Sequence, residues 1–414
     1  MEVKKVFKHV PNILTMCRFV LIPFIFGSIV NNQYVAAFVF LTLSGITDIL
    51  DGFIARKFNL ITNFGKLIDP LADKATQIST LIALLFAGII PDWILIVVFI
   101  KETIMRKDIF PSVKEALPVV VLTALFLLLT AVCIGLRTEH LLMTGLFLIL
   151  FFAGKTTRKL AVALLPFIIF GISYDWMRVY PNYEVNPIDV QGLYEAEKSL
   201  FGISIDGTKL IPCEYFAQNH CTVGDFFAGI FYLCWVPVPI AFGLWLYLKG
   251  ERKVYLRFAM VFLLVNIIGF AGYYIHPAAP PWYAMNYGFE PVLNTPGNVA
   301  GLGRFDELLG CSVFHSIYGR NANVFAAVPS LHAAYMVVAV AYAIMGRCKK
   351  WLIALFSVIM AGIWWTAVYS GHHYLIDVML GISCALLGIL VFEQGLMKWG
   401  AFKRFFERYS WYIG

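Results

Sequence analysis

Long apolar stretches recur from one end of the 414-residue chain to the other, separated by short polar breaks. An α-helix needs about 20 apolar residues to cross the hydrocarbon core of a bilayer. The pattern predicts about twelve transmembrane helices, at 11–31, 34–55, 70–90, 92–107, 117–136, 140–154, 159–176, 226–248, 255–275, 328–346, 351–369 and 375–395. We therefore expect an all-α, polytopic integral membrane protein.

Composition supports that expectation. Apolar residues make up 60% of the chain and charged residues 14%, and the mean hydropathy is +0.78. A soluble globular protein carries roughly 25% charged residues. These values exclude a water-soluble enzyme, a disordered tail and a coiled coil.

The positive charge follows the expected membrane topology. The net charge is +7, but the basic residues form short clusters between the apolar stretches. Such clusters mark cytoplasmic loops, so we predict a membrane protein with both termini cytoplasmic and no nucleic-acid partner. Whether the protein forms a homodimer stays open.

A polar break at 108–116 predicts two helical modules, at 1–110 and 111–414. Two long loops, at 177–224 and 276–326, are predicted to be functional. Cys213 and Cys221 share the first of these loops. Whether they form a disulfide stays open, because it depends on whether the loop faces an oxidising compartment.

Four acidic residues lie close together in the first module: Asp48, Asp51, Asp69 and Asp73. Spacings of three and four residues place each pair on one helix face. Four converging carboxylates repel each other unless cations lie between them, so the pattern indicates a divalent metal site. The alternatives are a helix end with solvated acids and an ion pathway.

The stretch from Asp48 to Asp73 resembles, at every position, the signature D-x2-D-G-x2-A-R-x8-G-x3-D-x3-D of the CDP-alcohol phosphotransferase family. The run from Pro11 to Thr15, followed by Arg18, looks like the start of its bacterial phosphatidylglycerophosphate synthases. The resemblance implies transfer of the phosphatidyl group of CDP-diacylglycerol to an alcohol, with release of CMP.

That resemblance also implies roles for particular residues. Mg²⁺ or Mn²⁺ would be held by the four aspartates, with Asp73 also acting as general base. The nucleotide site would be lined by Gly52, Ala55, Arg56 and Gly65. Family members have about six helices, and about four precede the break here. Either the helices at 117–136 and 140–154 complete the bundle or the module is truncated.

Two histidines and an aspartate form a second candidate site. His373 and Asp377 are four residues apart, so on one helical turn the carboxylate can bind one ring nitrogen and leave the other free to attack. His332, predicted at the same membrane depth, would act as general acid and then base. His373 is preferred to His372 because only His373 has an acid four residues later. All three groups are predicted on the outer face.

The segments 329–334 (PSLHAA) and 369–377 (YSGHHYLID) resemble the type 2 phosphatidic acid phosphatase superfamily, and most closely its inositol phosphorylceramide synthase branch. Segments 174–178, 193–202 and 276–283 also look like stretches of that branch. The resemblance implies a phosphohistidine-type intermediate on His373. Phosphoinositol would pass from phosphatidylinositol to ceramide, and no cofactor is implied for this module.

Several points stay open at this stage. The superfamily's Lys-x6-Arg-Pro phosphate-binding motif is absent, and its candidate replacements are Arg178, Lys198, Arg304 and Arg320. The second module could instead be a lipid phosphate phosphatase with water as acceptor. The only activity could also be that of a phosphatidylglycerophosphate or phosphatidylinositol phosphate synthase, and a transporter or lipid-binding scaffold is the third alternative.

Overall fold

A computed structural model describes residues 10–58, 63–89, 111–319 and 323–414. Those residues form nineteen α-helices and one short β-hairpin. The all-α prediction is therefore confirmed. The span predicted at 92–107 lies outside the described residues.

The chain divides into two compact units, the first formed by Met1–Thr123, Leu142–Ala161 and Leu248–Gly250, and the second by the remainder. The helices up to residue 163 are α1 (Val10–Val30), α2 (Tyr34–Lys57), α3 (Asn63–Phe86), α4 (Val113–Cys133), α5 (Thr138–Ala153) and α6 (Lys155–Ala163). Helix α1 packs against α2 and α3 around Ile25, Ile29, Ala37 and Ala83. This packing brings the polar ends of α2 and α3 together.

Thirteen helices follow: α7 (Leu165–Trp176), α8 (Gln191–Phe201), α9 (Pro212–Gln218), α10 (Thr222–Leu233), α11 (Pro237–Lys249), α12 (Arg252–Ile275), α13 (Pro281–Tyr287), α14 (Gly303–Leu309), α15 (Val313–Tyr318), α16 (Leu331–Met345), α17 (Lys350–Tyr369), α18 (Leu375–Leu390) and α19 (Gly400–Ile413). Within the second unit, α16 packs against α17 and α18, and α12 packs against α16 and α18. Gly381 of α18 lies so close to the carbonyl oxygen of Ser330 that a β-carbon there would clash.

The hairpin joins α8 to α9. Strand β1 (Ile203–Ile205) pairs antiparallel with β2 (Thr208–Leu210), and Asp206 and Gly207 form the two-residue turn. Both turn residues have positive φ, 49° and 80°, which is the geometry that an Asp-Gly turn favours. The hydroxyl of Tyr194 on α8 donates to Oε1 of Glu214 on α9 at 2.8 Å, so the two helices that the hairpin joins also contact each other directly.

Six helices are long and apolar enough to cross a membrane: α1, α2, α4, α12, α17 and the helical stretch that starts with α18. Two bent pairs, α6 with α7 (47°) and α10 with α11 (43°), raise the number to eight if each pair is one span. Helices α5 and α16 are apolar but shorter. The described residues thus fit an integral membrane protein, and the predicted count of about twelve spans is not confirmed.

Candidate active sites

The four aspartates of the first unit converge on one guanidinium group. Arg18 of α1 is 2% exposed, and its Nη1 lies 2.7 Å from Oδ1 of Asp48. Nη1 also contacts the carboxylate of Asp73. Its Nη2 lies 3.4 Å from Oδ2 of Asp51 and 3.9 Å from Oδ1 of Asp69. The predicted convergence of the carboxylates is therefore present, with a cation of the protein itself between them.

A hydroxyl group links two of these carboxylates. Thr15, one turn before Arg18, has its Oγ1 3.0 Å from Oδ2 of Asp51 and 2.7 Å from Oδ1 of Asp69. In the described part of the chain, His, Cys, Asp and Glu side chains form no ready-made metal cage. Carboxylate oxygens are nevertheless the donors that Mg²⁺ and Mn²⁺ prefer. The four carboxylates are therefore a donor set of the kind that such a cation takes.

The residues predicted to line a nucleotide lie near this cluster in sequence. Gly52 and Ala55 are partly exposed on α2, and Gly65 is buried on α3. The side chain of Arg56 lies outside the described part of the structure. Its predicted contact with a phosphate stays a prediction.

The second candidate site lies where α16 and α18 begin. His332 is the second residue of α16, which starts after Ser330. Helix α17 ends at Tyr369, and the chain turns through Gly371, whose φ of 74° suits glycine. His373 lies in this turn, ahead of the first residue of α18, so the expectation that it shares a helical turn with Asp377 is wrong in detail. Asp377, in the first turn of α18, still reaches the histidine.

The three predicted side chains form one line of contacts. Nδ1 of His332 lies 3.0 Å from Nε2 of His373. Nδ1 of His373 lies 3.5 Å from Oδ2 of Asp377. Asp377 is fully buried and His373 is 5% exposed. This arrangement leaves Nε2 of His373 as the nitrogen that faces His332.

Both histidines line a cavity of about 230 Å³ in the second unit. Its wall is largely aromatic and includes Tyr174, Trp235, Tyr273, Trp282, Tyr318 and Tyr335. An apolar wall with a few polar groups is typical of a small-molecule or lipid site.

His372 lines the same cavity. Its Nδ1 lies 3.1 Å from Oγ of Ser370, and the ring of Tyr318 lies 4.3 Å from its ring, measured between centroids. Burial lowers the pKa of His372 to about 3, with a further contribution from neighbouring His373. The imidazole is therefore neutral at physiological pH.

Glu197 of α8 belongs to this site but was not predicted from the sequence. Its Oε1 accepts a hydrogen bond from the backbone N–H of Leu375 at 2.8 Å, and Oε2 from that of Ile376 at 3.1 Å. Burial raises the pKa of Glu197, and these two donors oppose the rise. One signal was available: Leu193 and Glu197 are four residues apart and share the buried face of α8.

A disulfide between Cys213 and Cys221 is left open by the sequence. The structure has free thiols at Cys213 and Cys221. The buried thiol of Cys213 instead donates to the backbone oxygen of His373 at 3.4 Å. The α8–hairpin–α9 segment therefore contacts the turn on which the histidine lies.

The basic residues that the sequence offers for binding phosphate do not line this cavity. Arg304 pairs with Asp225 at 2.6 Å, Arg178 lies 3.4 Å from Asp175, and Lys198 lies over the ring of Tyr194. Arg320 is outside the described residues. Among the described residues, the cavity that holds His332 and His373 is lined by no Lys or Arg side chain.

Two family models match the sequence. The model of the CDP-alcohol phosphatidyltransferases matches residues 8–153. The model of the PAP2 superfamily matches residues 204–391. The two candidate sites therefore fall within separate family matches. No solved structure matches the chain significantly.

Curated relatives follow the same division. A phosphoinositol dihydroceramide synthase from Bacteroides thetaiotaomicron is 76% identical over 303 residues, which are 73% of this chain and 99% of the relative. An inositol phosphorylceramide synthase from Candida albicans is 31% identical over 173 residues, 39% of this chain and 35% of the relative. A CDP-diacylglycerol–glycerol-3-phosphate 3-phosphatidyltransferase from Rickettsia bellii is 34% identical over 120 residues, 28% of this chain and 66% of the relative.

Proposed function

Because the chain belongs to the PAP2 superfamily and is 76% identical to a phosphoinositol dihydroceramide synthase, we propose that its second module transfers phosphoinositol from phosphatidylinositol to a ceramide. It is a membrane enzyme of lipid headgroup phosphotransfer. The observation that carries the proposal is the contact line from His332 through His373 to Asp377 in an aromatic cavity.

The reaction would proceed in two displacements. Nε2 of His373 attacks the phosphorus of phosphatidylinositol while Asp377 holds Nδ1–H. The bond between phosphorus and the glycerol oxygen breaks, and His332, which begins the cycle as an imidazolium, gives that oxygen a proton, which releases diacylglycerol. The ceramide hydroxyl then loses its proton to His332 and attacks the phosphohistidine. The N–P bond breaks, and inositol phosphorylceramide and free His373 result.

A direct test uses the purified full chain in mixed micelles with phosphatidylinositol and a fluorescent ceramide, without CDP-lipid. Mass spectrometry should detect inositol phosphorylceramide and diacylglycerol with the wild type and neither with His373→Ala. Absence of both products from the wild type would contradict the proposal. Release of inorganic phosphate from a lipid phosphate without ceramide would instead identify a phosphatase.

For the first module, we propose transfer of the phosphatidyl group from CDP-diacylglycerol to an alcohol. The family match and the convergence of the four aspartates support it. Asp48, Asp51, Asp69 and Asp73 would hold Mg²⁺ or Mn²⁺, which would stabilise charge on the reacting phosphates. Asp73 would take the proton of the acceptor alcohol, and Gly52, Ala55, Arg56 and Gly65 would line the nucleotide. CMP release from CDP-diacylglycerol is the measurement that tests this activity.

We also propose where the two modules begin and end and on which side of the membrane each site lies. The modules would be residues 1–110 and 111–414, except that α4 and α5, at the start of the second range, would complete the helix bundle of the first module, because the CDP-alcohol phosphatidyltransferase model matches residues 8–153. Both termini and the aspartate site would be cytoplasmic, and the histidine site would be on the outer face. Labelling of single introduced cysteines with an impermeant reagent in intact cells tests each position, and light scattering of the purified protein tests for a homodimer.

A further inference from the structure

The buried carboxylate of Glu197 lies at the start of a helix that belongs to another part of the chain. Glu197 is 0% exposed, and its two oxygens accept from Leu375 and Ile376, 178 and 179 residues further along. Burying an ionised carboxylate is costly unless hydrogen bonds or positive charge compensate it. The amino end of a helix provides both, through free N–H groups and the helix dipole.

Asp377 accepts a hydrogen bond from the N–H group of the residue just before Leu375, at the same helix end. Its Oδ2 accepts from the backbone N–H of Tyr374 at 3.0 Å, while the same oxygen lies 3.5 Å from Nδ1 of His373. The N–H groups of Leu375 and Ile376 do not donate to Asp377. Glu197 accepts from both, and this fixes the first turn of α18, which carries Asp377.

The turn before α18 contacts the same part of the chain that carries Glu197. The backbone N–H of His373 donates to the carbonyl of Ala367 at 2.9 Å, and its carbonyl accepts from the thiol of Cys213 at 3.4 Å. Cys213 lies on α9, which the hairpin joins to α8, the helix of Glu197. One segment, 191–218, therefore contacts both the histidine backbone and the helix that carries its aspartate.

We propose that Glu197 is a positioning residue for phosphotransfer, which sets the distance between Asp377 and His373 by binding the first turn of α18. This inference rests on the proposed function of the second module. Glu197 does not line the cavity, so its removal acts through Asp377 and His373. The expected signature is a loss in kcat with little change in KM, because substrate contacts stay intact.

The test compares Glu197→Gln with Glu195→Gln, since Glu195 is an exposed residue on the same helix. A glutamine of the same shape can accept from only one of the two N–H groups, and its NH₂ group opposes the other. Initial rates of inositol phosphorylceramide formation over a range of phosphatidylinositol concentrations give kcat and KM. We expect Glu197→Gln to lower kcat by about 10- to 100-fold, as loss of an orienting partner does elsewhere, with KM within about threefold and the control unchanged.

Thermal unfolding separates positioning from folding. If Glu197→Gln is poorly folded, Glu197→Asp decides, because it keeps both acceptor oxygens on a shorter side chain. A lowered kcat at unchanged Tm and KM supports the inference for either variant. A kcat within twofold of the Glu195→Gln control overturns it, as does a rise in KM at unchanged kcat. A wild type that forms no product overturns the proposed function itself, which is a distinct result.

Discussion

The ring of Tyr232 stacks on the imidazole of His332, with ring centroids 5.0 Å apart and ring planes 13° from parallel. Trp235 contacts the same imidazole at 4.3 Å between centroids. It lies at the bend between α10 and α11, which places its side chain near the start of α16. The two aromatic rings restrict the orientation of the imidazole, so that Nδ1 faces His373. If His332 is the proton donor, as proposed, an imidazole held in this way needs less reorganisation during the reaction.

We therefore predict that Tyr232→Leu lowers kcat for ceramide transfer by about tenfold or more, because misplacement of a catalytic group is costly. Tyr232→Phe keeps the stacked ring and should stay within about threefold of the wild type. Initial rates with saturating phosphatidylinositol measure both variants. Equal activity of the Leu and Phe variants would show that the stack does not orient His332.

Asp377 should matter more for the rate than for the fold. An asparagine keeps an oxygen that can accept from the N–H of Tyr374, but it no longer stabilises a positive charge on His373. We expect Asp377→Asn to lower kcat by about 10²- to 10⁴-fold with a Tm near that of the wild type. Asp377→Ala, which also loses the backbone contact, should lower the Tm as well. An active Asn variant would contradict the assigned role.

The contact between His373 and Asp377 could be predicted from the sequence because only four positions separate the two residues. Glu197 could not be placed in this way, since 178 residues separate it from its partner Leu375. The convergence of the aspartates was predictable from their motif, whereas the guanidinium of Arg18 among them was not. The predicted count of about twelve spans is not confirmed, because helix breaks near Leu164 and Trp235 divide two of the predicted stretches, α5 and α16 are short, and the stretch 92–107 lies outside the described residues.

His372 should make stability depend on pH. Because burial lowers its pKa to about 3, the folded protein keeps it neutral, whereas the unfolded chain takes up a proton near pH 6.5. Its contribution to stability is complete above pH 6.5 and is lost as pH falls from 6.5 towards 3, by about 1.4 kcal/mol per pH unit. The difference in unfolding free energy between His372→Gln and wild type should therefore change by roughly 2 kcal/mol between pH 7.5 and pH 5.

Chemical unfolding in detergent at the two pH values measures this difference. Other groups that titrate in both proteins cancel in the comparison. The wild type should lose more stability than His372→Gln on acidification. The same loss in both proteins would show that His372 is accessible to protons when folded.

The two proposed activities should be separable by single substitutions. Asp73→Asn should abolish metal-dependent CMP release and leave formation of inositol phosphorylceramide within about twofold, because the residues lie in different compact units. His373→Ala should have the opposite effect. Both assays are run on the same preparation, so each variant serves as the folding control for the other. Loss of both activities in either variant would argue against independent sites.

Arg18 should exchange with a divalent cation. Its guanidinium lies among four carboxylates, and its loss would leave like charges close together. We expect Arg18→Ala to lower the Tm in EDTA by roughly 5 °C or more, and we expect Mg²⁺ to restore most of that loss. Because Mg²⁺ must displace the guanidinium in the wild type, it should raise the wild-type Tm less than that of Arg18→Ala.

The double variant Asp73→Asn with Arg18→Ala is the control. It lacks one of the repelling charges and one metal ligand, so its Tm in EDTA should exceed that of Arg18→Ala and its response to Mg²⁺ should be weaker. An equal response to Mg²⁺ in wild type and Arg18→Ala would mean that the metal and the guanidinium do not share a position.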